Sequence, residues 1–143
     1  MDRKRIATLL NEVRARELAA IMQYMGHHYE AEGMESPEIS EEFKEAAINE
    51  MRHAEKLAER VNYLGEIPTQ APNPFKRGGN LRQMIQDNLD LENAAIANLR
   101  EKIKVCAEEG DPTSRLLLEE ILSDEEHHAD LWETLLGRGS KSK

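Results

Sequence analysis

The sequence predicts an all-α protein, a four-helix bundle made of two helical hairpins joined by a long crossover. Apolar residues recur at helical spacing in four long segments, which indicates four amphipathic helices. Glu, Ala, Leu, Lys and Arg are abundant and aromatic residues make up only 4% of the chain, which favours helices over a β-sandwich or barrel. The 143 residues suffice for one domain with a buried core. We assign 1–136 to the bundle and 137–143, a basic stretch of small residues, to a disordered tail.

Prolines, glycines and capping residues mark the ends of the helices. Ser36 followed by Pro37, and Asp111 followed by Pro112, are start signals, because Ser and Asp cap helices and Pro suits the first helical position. Glycines after three of the apolar segments are typical helix ends. The predicted helices span 2–33, 36–65, 81–109 and 112–136.

One long connection separates the second helix from the third. The segment EIPTQAPNPFKRGGN, residues 66–80, contains three prolines and two glycines, which exclude a helix there. A connection of this length can cross the length of a bundle, so we expect the second and third helices to run parallel.

Charge and composition exclude several kinds of partner. The net charge of −9 argues against nucleic acid. No apolar run approaches the ~18 residues of a membrane-spanning helix, and the N-terminal segment lacks the apolar stretch of a signal sequence, so we expect a cytoplasmic protein without a membrane partner. The single cysteine, Cys106, excludes an internal disulfide and is predicted to be a small core residue.

Each predicted helix has ionisable residues on its apolar face, near its middle. In the first helix, for example, Glu17 falls on the same stripe as Val13 and Ala20. The full set is Glu17 in the first helix, Glu50 and His53 in the second, Glu92 in the third, and Glu125 and His128 in the fourth.

The spacing of this set repeats. Glu17 and Glu50 are 50 − 17 = 33 positions apart, and Glu92 and Glu125 are 125 − 92 = 33 apart. The second glutamate of each pair is followed three positions later by a histidine, and the two halves are offset by 92 − 17 = 75 positions. One Glu-x-x-His alone would carry little information. The repeated set indicates two matched hairpins that supply the same residues to one site.

Four ionised carboxylates together in a core require positive charge. Two divalent cations would balance them, and oxygen ligands with one imidazole per metal suit iron or manganese. The absence of thiolates from the set disfavours structural zinc. The set matches the known di-iron carboxylate pattern of helix bundles.

The sequence resembles the bacterioferritins, within the ferritin-like superfamily. The resemblance is carried by LNEVRARELAAIMQY, NEMRHAEKLAERVNYL, NLREKI and EEILSDEEHHADLWETLL. It implies a di-iron ferroxidase centre with two iron ions per subunit, and manganese is the alternative metal. The implied roles are Glu17 and His53 on one iron, Glu92 and His128 on the other, Glu50 and Glu125 as bridges, and Tyr24 as a tyrosine next to the centre.

The resemblance also implies a function and partners. Fe(II) would be oxidised to Fe(III) by oxygen or hydrogen peroxide, for iron storage and detoxification. Met51 matches the family's haem-ligating methionine, which implies haem b at a dimer interface. The next residue after Glu50 is turned by about 100° from the di-iron site, so Met51 is expected on an outer face. A homo-oligomer is expected, either a dimer or a 24-subunit cage.

Several departures from the family leave alternatives open. Bacterioferritins usually continue into a short fifth helix that helps to close the cage, whereas this sequence ends at GRGSKSK. Glu45 and Asn49 replace the histidine and aspartate that move iron in some members, and the crossover sequence is unusual. The alternatives are a dimeric rubrerythrin-like oxidase or peroxidase without storage, and a non-catalytic haem- or metal-binding bundle. His27 and His28 are left out of the predicted site, because solvent-facing or hydrogen-bonded histidines are commoner than ligands.

Overall fold

The computed structural model describes residues 1–137 and contains four α-helices and no strand within that range. The helices are α1 (Arg3–Glu30), α2 (Ser36–Tyr63), α3 (Leu81–Glu108) and α4 (Pro112–Leu136). None of these helices combines the length and the apolar character needed to cross a membrane. The predicted tail lies outside the described residues except for Gly137, whose left-handed conformation (φ 76°) caps α4.

The start of α2 differs from the prediction. Ser36 is not the N-cap but the first helical residue, and Glu35 precedes it in a helical conformation without a side-chain capping bond. The backbone N–H of Ser36 donates to the carbonyl of Gly33 (3.1 Å), so a tight turn already brings Ser36 into the helix. Asp111 does act as the predicted cap of α4, because its carboxylate accepts from the backbone N–H of Ser114 (3.1 Å).

The helices have the predicted directions. At one end of the bundle the backbone N–H of Asp2 donates to Glu109 Oε1 (2.9 Å). Far along α1, Gln23 Nε2 donates to Asn88 Oδ1 (3.0 Å), so α1 and α3 are antiparallel. A short connection over 31–35 makes α1 and α2 antiparallel as well. The helices α2 and α3 are therefore parallel, and the crossover spans the length of the bundle.

The core is divided into two apolar clusters with an ionisable layer between them. One cluster includes Ile6, Leu10, Val13, Leu57, Val61, Leu99, Leu118 and Ile121. The other includes Tyr24, Phe43, Ala47, Met84, Leu89, Ile96 and Trp132. Glu17 lies in α1 between Val13 of the first cluster and Ala20 of the second. Most residues of the predicted apolar faces are buried in all four helices, but Leu135, three positions after Trp132 on the same stripe, is 37% exposed.

A buried arginine fastens the crossover to the bundle. Arg14 is only 9% exposed. Its guanidinium donates to the backbone carbonyl of Thr69 (2.8 Å) and to Gln70 Oε1 (2.5 Å) in the crossover, and to the carbonyl of Ala54 (2.5 Å) in α2. The sequence pattern gave no sign of this role, because Arg14 is one position beyond the apolar residue Val13 and reads as a solvated side chain.

We expect Arg14→Ala to lower the free energy of unfolding by about 2–4 kcal/mol, because three hydrogen bonds from a charged donor are lost together. Chemical denaturation followed by circular dichroism measures this change. Arg82→Ala is the matched control, since Arg82 is exposed on α3, and it should alter the stability by less than about 0.5 kcal/mol. Equal effects of the two substitutions would contradict the anchoring role of Arg14.

Candidate metal centre

The six ionisable residues of the core faces come together at one level of the bundle. The i, i+3 spacing puts Glu50 and His53 on one face of α2, and Glu125 and His128 on one face of α4. Glu17 and Glu92 come from α1 and α3. All six residues are buried. The four helices therefore converge on one polar layer.

Ligand-type atoms within this layer form two overlapping groups. Glu17, Glu50, His53 and Glu125 each offer one such atom, and these atoms lie within 4.8 Å of one another. The same criterion joins Glu50, Glu92, Glu125 and His128. Glu50 and Glu125 belong to both groups. The arrangement thus has two neighbouring centres that share two carboxylates and have one histidine each.

The two histidines use the same ring atom to face the carboxylates. His53 Nδ1 lies 3.6 Å from Glu17 Oε2 and 3.5 Å from Glu50 Oε1. His128 Nδ1 lies 3.0 Å from Glu92 Oε2 and 3.2 Å from Glu50 Oε1. Glu50 Oε1 is therefore close to both imidazoles, one from each Glu-x-x-His pair.

Several of these atoms are buried without a hydrogen-bond partner among the described residues. They are Glu17 Oε2, both carboxylate oxygens of Glu50, Glu125 Oε1 and His53 Nδ1. Buried polar atoms in a native protein are nearly always paired. A cavity of about 10 Å³ lies among Glu17, Glu50, Glu92 and Glu125. The unpaired lone pairs converge on a small space, which is what a cation-binding site requires.

Burial and mutual repulsion favour the protonated carboxyl groups. Burial raises the pKa of Glu50 well above its usual range, and the charges of Glu125 and Glu17 raise it further. Burial and the charge of Glu125 raise the pKa of Glu92 to about 7, although His128 opposes this rise. Burial and Glu17 also raise the pKa of Glu125. Without a metal, the cluster therefore holds protons at neutral pH.

The pKa values of the two histidines are also raised, but for a different reason. Burial opposes the charged form of His53, but the contacts with Glu17 and Glu125 outweigh it and raise the pKa to about 9. Burial likewise opposes the charge on His128, and the neighbouring Glu125 and Glu92 raise its pKa to about 10. Each imidazolium thus partly replaces the positive charge that a metal would supply.

Tyr24 contacts the cluster through its hydroxyl group. Its hydroxyl donates to Glu92 Oε2 at 2.5 Å. The ring packs edge-on against Trp132, with 5.7 Å between the ring centroids, and Trp132 also contacts Phe43. These aromatic contacts fix the ring, so the hydroxyl holds one oxygen of Glu92 in place.

Asp124 is a further residue beside the cluster, and the sequence did not predict it. His53 Nε2, on the far side of the ring from the carboxylate cluster, lies 2.7 Å from Asp124 Oδ2. The amide of Asn49 donates to the same oxygen at 3.5 Å. The Asp124 side chain is 49% exposed, so no hydrophobic pattern distinguishes it. The available signal was its position, directly before Glu125.

Other residues singled out in the sequence lie elsewhere. Met51 is 55% exposed, in agreement with the predicted outer face. Cys106 is fully buried, and burial raises its pKa to about 11, in agreement with a core role. His28 Nδ1 lies 2.9 Å from the hydroxyl of Ser40.

His27 has an environment that is neither solvent-facing nor hydrogen-bonded, the two environments considered commonest for such a histidine. It is fully buried, and within residues 1–137 neither ring nitrogen has a hydrogen-bond partner. The ring packs against Phe43 at 5.6 Å between centroids, and burial lowers the pKa of His27. His27 therefore acts as a neutral core residue next to the aromatic cluster.

A family model described as a ferritin-like domain matches residues 7–142. The bacterioferritin of Desulfovibrio desulfuricans is 38% identical over 136 residues, which are 94% of this chain and 76% of that protein. The chain belongs to the bacterioferritin family, within the ferritin-like proteins. The predicted family and fold class are therefore confirmed.

Other bacterioferritins show the same relationship. That of Mycobacterium leprae is 36% identical over 132 residues, 92% of this chain and 83% of the relative. The crystal structure of the Desulfovibrio desulfuricans bacterioferritin superimposes with a TM-score of 0.90 at 35% identity, covering 94% of this chain and 80% of that one. That structure is described as showing the diiron site of the Desulfovibrio protein in different catalytic states.

The shifted pKa values predict how the stability of the metal-free protein depends on pH. A group whose pKa is higher in the folded than in the unfolded state contributes stability at low pH, and that stability is lost as the pH rises through the folded pKa. Glu50, Glu92, Glu125, His53 and His128 all shift upward. With a chelator present, we expect Tm to fall as the pH rises from about 6 to about 9. Thermal unfolding followed by circular dichroism tests this, and a constant or rising Tm would contradict it.

Proposed function

We propose that this protein is a ferroxidase that binds two Fe(II) ions between its four helices and oxidises them to Fe(III), for iron storage and detoxification. The observation that carries the proposal is the pair of overlapping ligand groups that share Glu50 and Glu125. The family relationship and the diiron site described for the Desulfovibrio desulfuricans relative support it.

The chemistry of the donor atoms fits two iron ions. We assign Glu17 and His53 to one ion and Glu92 and His128 to the other, with Glu50 and Glu125 as bridges. Four carboxylates balance the charge of two divalent cations, and the mixture of oxygen donors with one imidazole per ion suits iron, with manganese as the alternative. The unpaired oxygen atoms of Glu17, Glu50 and Glu125 would gain the partners that they lack.

The protein's own residues hold the site and control its protons. The chemistry supplied by two bound Fe(II) ions is electron transfer to oxygen or hydrogen peroxide, one electron from each ion. His53 and His128 must release protons before Nδ1 can bind a metal, and the carboxyl groups release theirs as well. Tyr24 orients Glu92 through the 2.5 Å hydrogen bond. The apolar clusters on both sides of the layer limit the entry of water.

The same ligand set is compatible with two other functions. A rubrerythrin-like oxidase or peroxidase would use the same ligands but would retain no mineral. A metal-binding bundle without catalysis would bind Fe(II) and oxidise it no faster than free solution does. We place the protein in the cytoplasm as a homo-oligomer, at least a dimer, and a 24-subunit cage would favour storage.

The oxidation of Fe(II) tests the proposal directly. We expect Glu50→Ala and His53→Ala to slow the initial oxidation of Fe(II) by more than about 100-fold. The rate is measured by absorbance after Fe(II) is mixed with the protein and oxygen or hydrogen peroxide. Loss of a ligand should exceed the 10–100-fold cost of losing a residue that supports one. Glu41→Ala is the control, because Glu41 is exposed on the same helix. Metal binding should also raise the wild-type Tm by about 10 °C.

The outcomes separate the candidates. No change in Tm with Fe(II), Mn(II) or Co(II) would refute the two-metal site. A large change in Tm without fast oxidation would favour the non-catalytic bundle. Fast oxidation without iron retained by the protein would favour the rubrerythrin-like enzyme.

Met51 is our candidate for haem b ligation, with one methionine from each subunit of a dimer. Its exposure on an outer face of α2 is compatible with that role, and the sequence around it resembles the family. Protein from iron-replete cells should then show a sharp Soret band in its visible spectrum. The band should belong to the size-exclusion peak that light scattering identifies as a dimer or a larger assembly. Met51→Leu should remove the band and leave Fe(II) oxidation within about twofold. A band that survives the substitution would contradict the assignment.

A further inference from the structure

The two imidazoles of the metal centre have different surroundings. His53 has carboxylates on both sides of its ring, since Nδ1 faces Glu17 and Glu50 without a hydrogen bond (3.6 and 3.5 Å) while Nε2 lies 2.7 Å from Asp124 Oδ2. The Nδ1 atom of His128 also faces carboxylates. Within residues 1–137, no hydrogen bond or ion pair reaches His128 Nε2. Among the described residues, therefore, only His53 has a carboxylate within hydrogen-bond distance of its Nε2 atom.

The internal repeat shows where this asymmetry arises. The offset of 75 that relates His53 to His128 also relates Asn49 to Asp124, since 124 − 49 = 75. Each of these two residues directly precedes a shared glutamate. Asp124 is acidic and bonds to the histidine of the other hairpin, whereas the corresponding residue, Asn49, is a neutral amide that donates to Asp124 instead.

We propose that Asp124 is a positioning residue that fixes the ring of His53 with Nδ1 toward the metal, and that the two metal positions are therefore unequal in affinity. A carboxylate that accepts from the second nitrogen of a metal-binding histidine sets the orientation and tautomer of the ring and strengthens the ligand. The 2.7 Å separation is typical of a charge-assisted hydrogen bond. This inference rests on the proposed two-metal function and adds a difference between its two sites.

Titration of the full chain with Co(II) tests the proposal. Calorimetry and visible absorption measure the affinity of each binding step. Asp124→Ala should lower the affinity for one of the two Co(II) ions by about tenfold, near the low end of the usual range because Asp124 is half exposed. Asp124→Asn keeps an acceptor oxygen and should recover part of the loss. Glu120→Ala is the matched control, because it removes the same charge one turn away on the exposed side of α4.

A double-mutant cycle distinguishes positioning from a general effect of charge or folding. If Asp124 acts through His53, adding Asp124→Ala to His53→Ala should change the affinity for the remaining Co(II) by less than about twofold. A tenfold loss in that background, or an equal loss in Glu120→Ala, would overturn the proposal. So would two unchanged binding steps in Asp124→Ala, and the two-metal function would then still stand. Wild-type protein that binds no Co(II) would refute the proposed function and this inference with it.

Discussion

The burial of four carboxyl groups at one level of the core is the constraint on which this structure depends. A buried carboxylate is stable only when it is paired, neutralised or bound to a metal. The metal-free protein combines the first two solutions, because its carboxyl pKa values rise and its two imidazoles become more basic. Neither solution satisfies every atom, since both oxygens of Glu50 lack a hydrogen-bond partner among the described residues. The fold therefore holds the carboxyl groups in an arrangement in which protonation satisfies only some of their hydrogen-bonding atoms.

The rest of the bundle compensates for this layer. Two apolar clusters enclose it, and the aromatic contacts of Trp132 with Tyr24 and Phe43 make the adjoining core stiff. The crossover is held by Arg14 and, further along, by the amide of Gln23, which accepts from the backbone N–H of Lys76 (2.9 Å). A site with preorganised ligands needs such support, because a ligand that moves freely loses its geometry.

The fold and the convergence of the six ionisable residues could be predicted because both follow from helical periodicity. Glu17 and Glu92 stand out only as charged positions on apolar faces, and the repeat then links each to a Glu-x-x-His. The residues that the sequence did not reveal depend on tertiary contacts. Asp124 looks like any exposed acid until the neighbouring helix brings His53 to it, and Arg14 looks like a surface arginine until the crossover covers it. Ser36 was misassigned because a turn that begins at Gly33 had already started the helix.

Each ligand group combines residues of both hairpins, and this determines the stage of synthesis at which the groups can form. The group around His53 needs Glu125 from α4, and the group around His128 needs Glu50 from α2. The first hairpin, although complete by residue 63, has only part of either group. A growing chain on the ribosome therefore cannot assemble the pair of centres until α4 has emerged and docked. In the proposed two-metal site, metal loading would follow the docking of α4, because a chain that ends before α4 lacks Glu125 and His128.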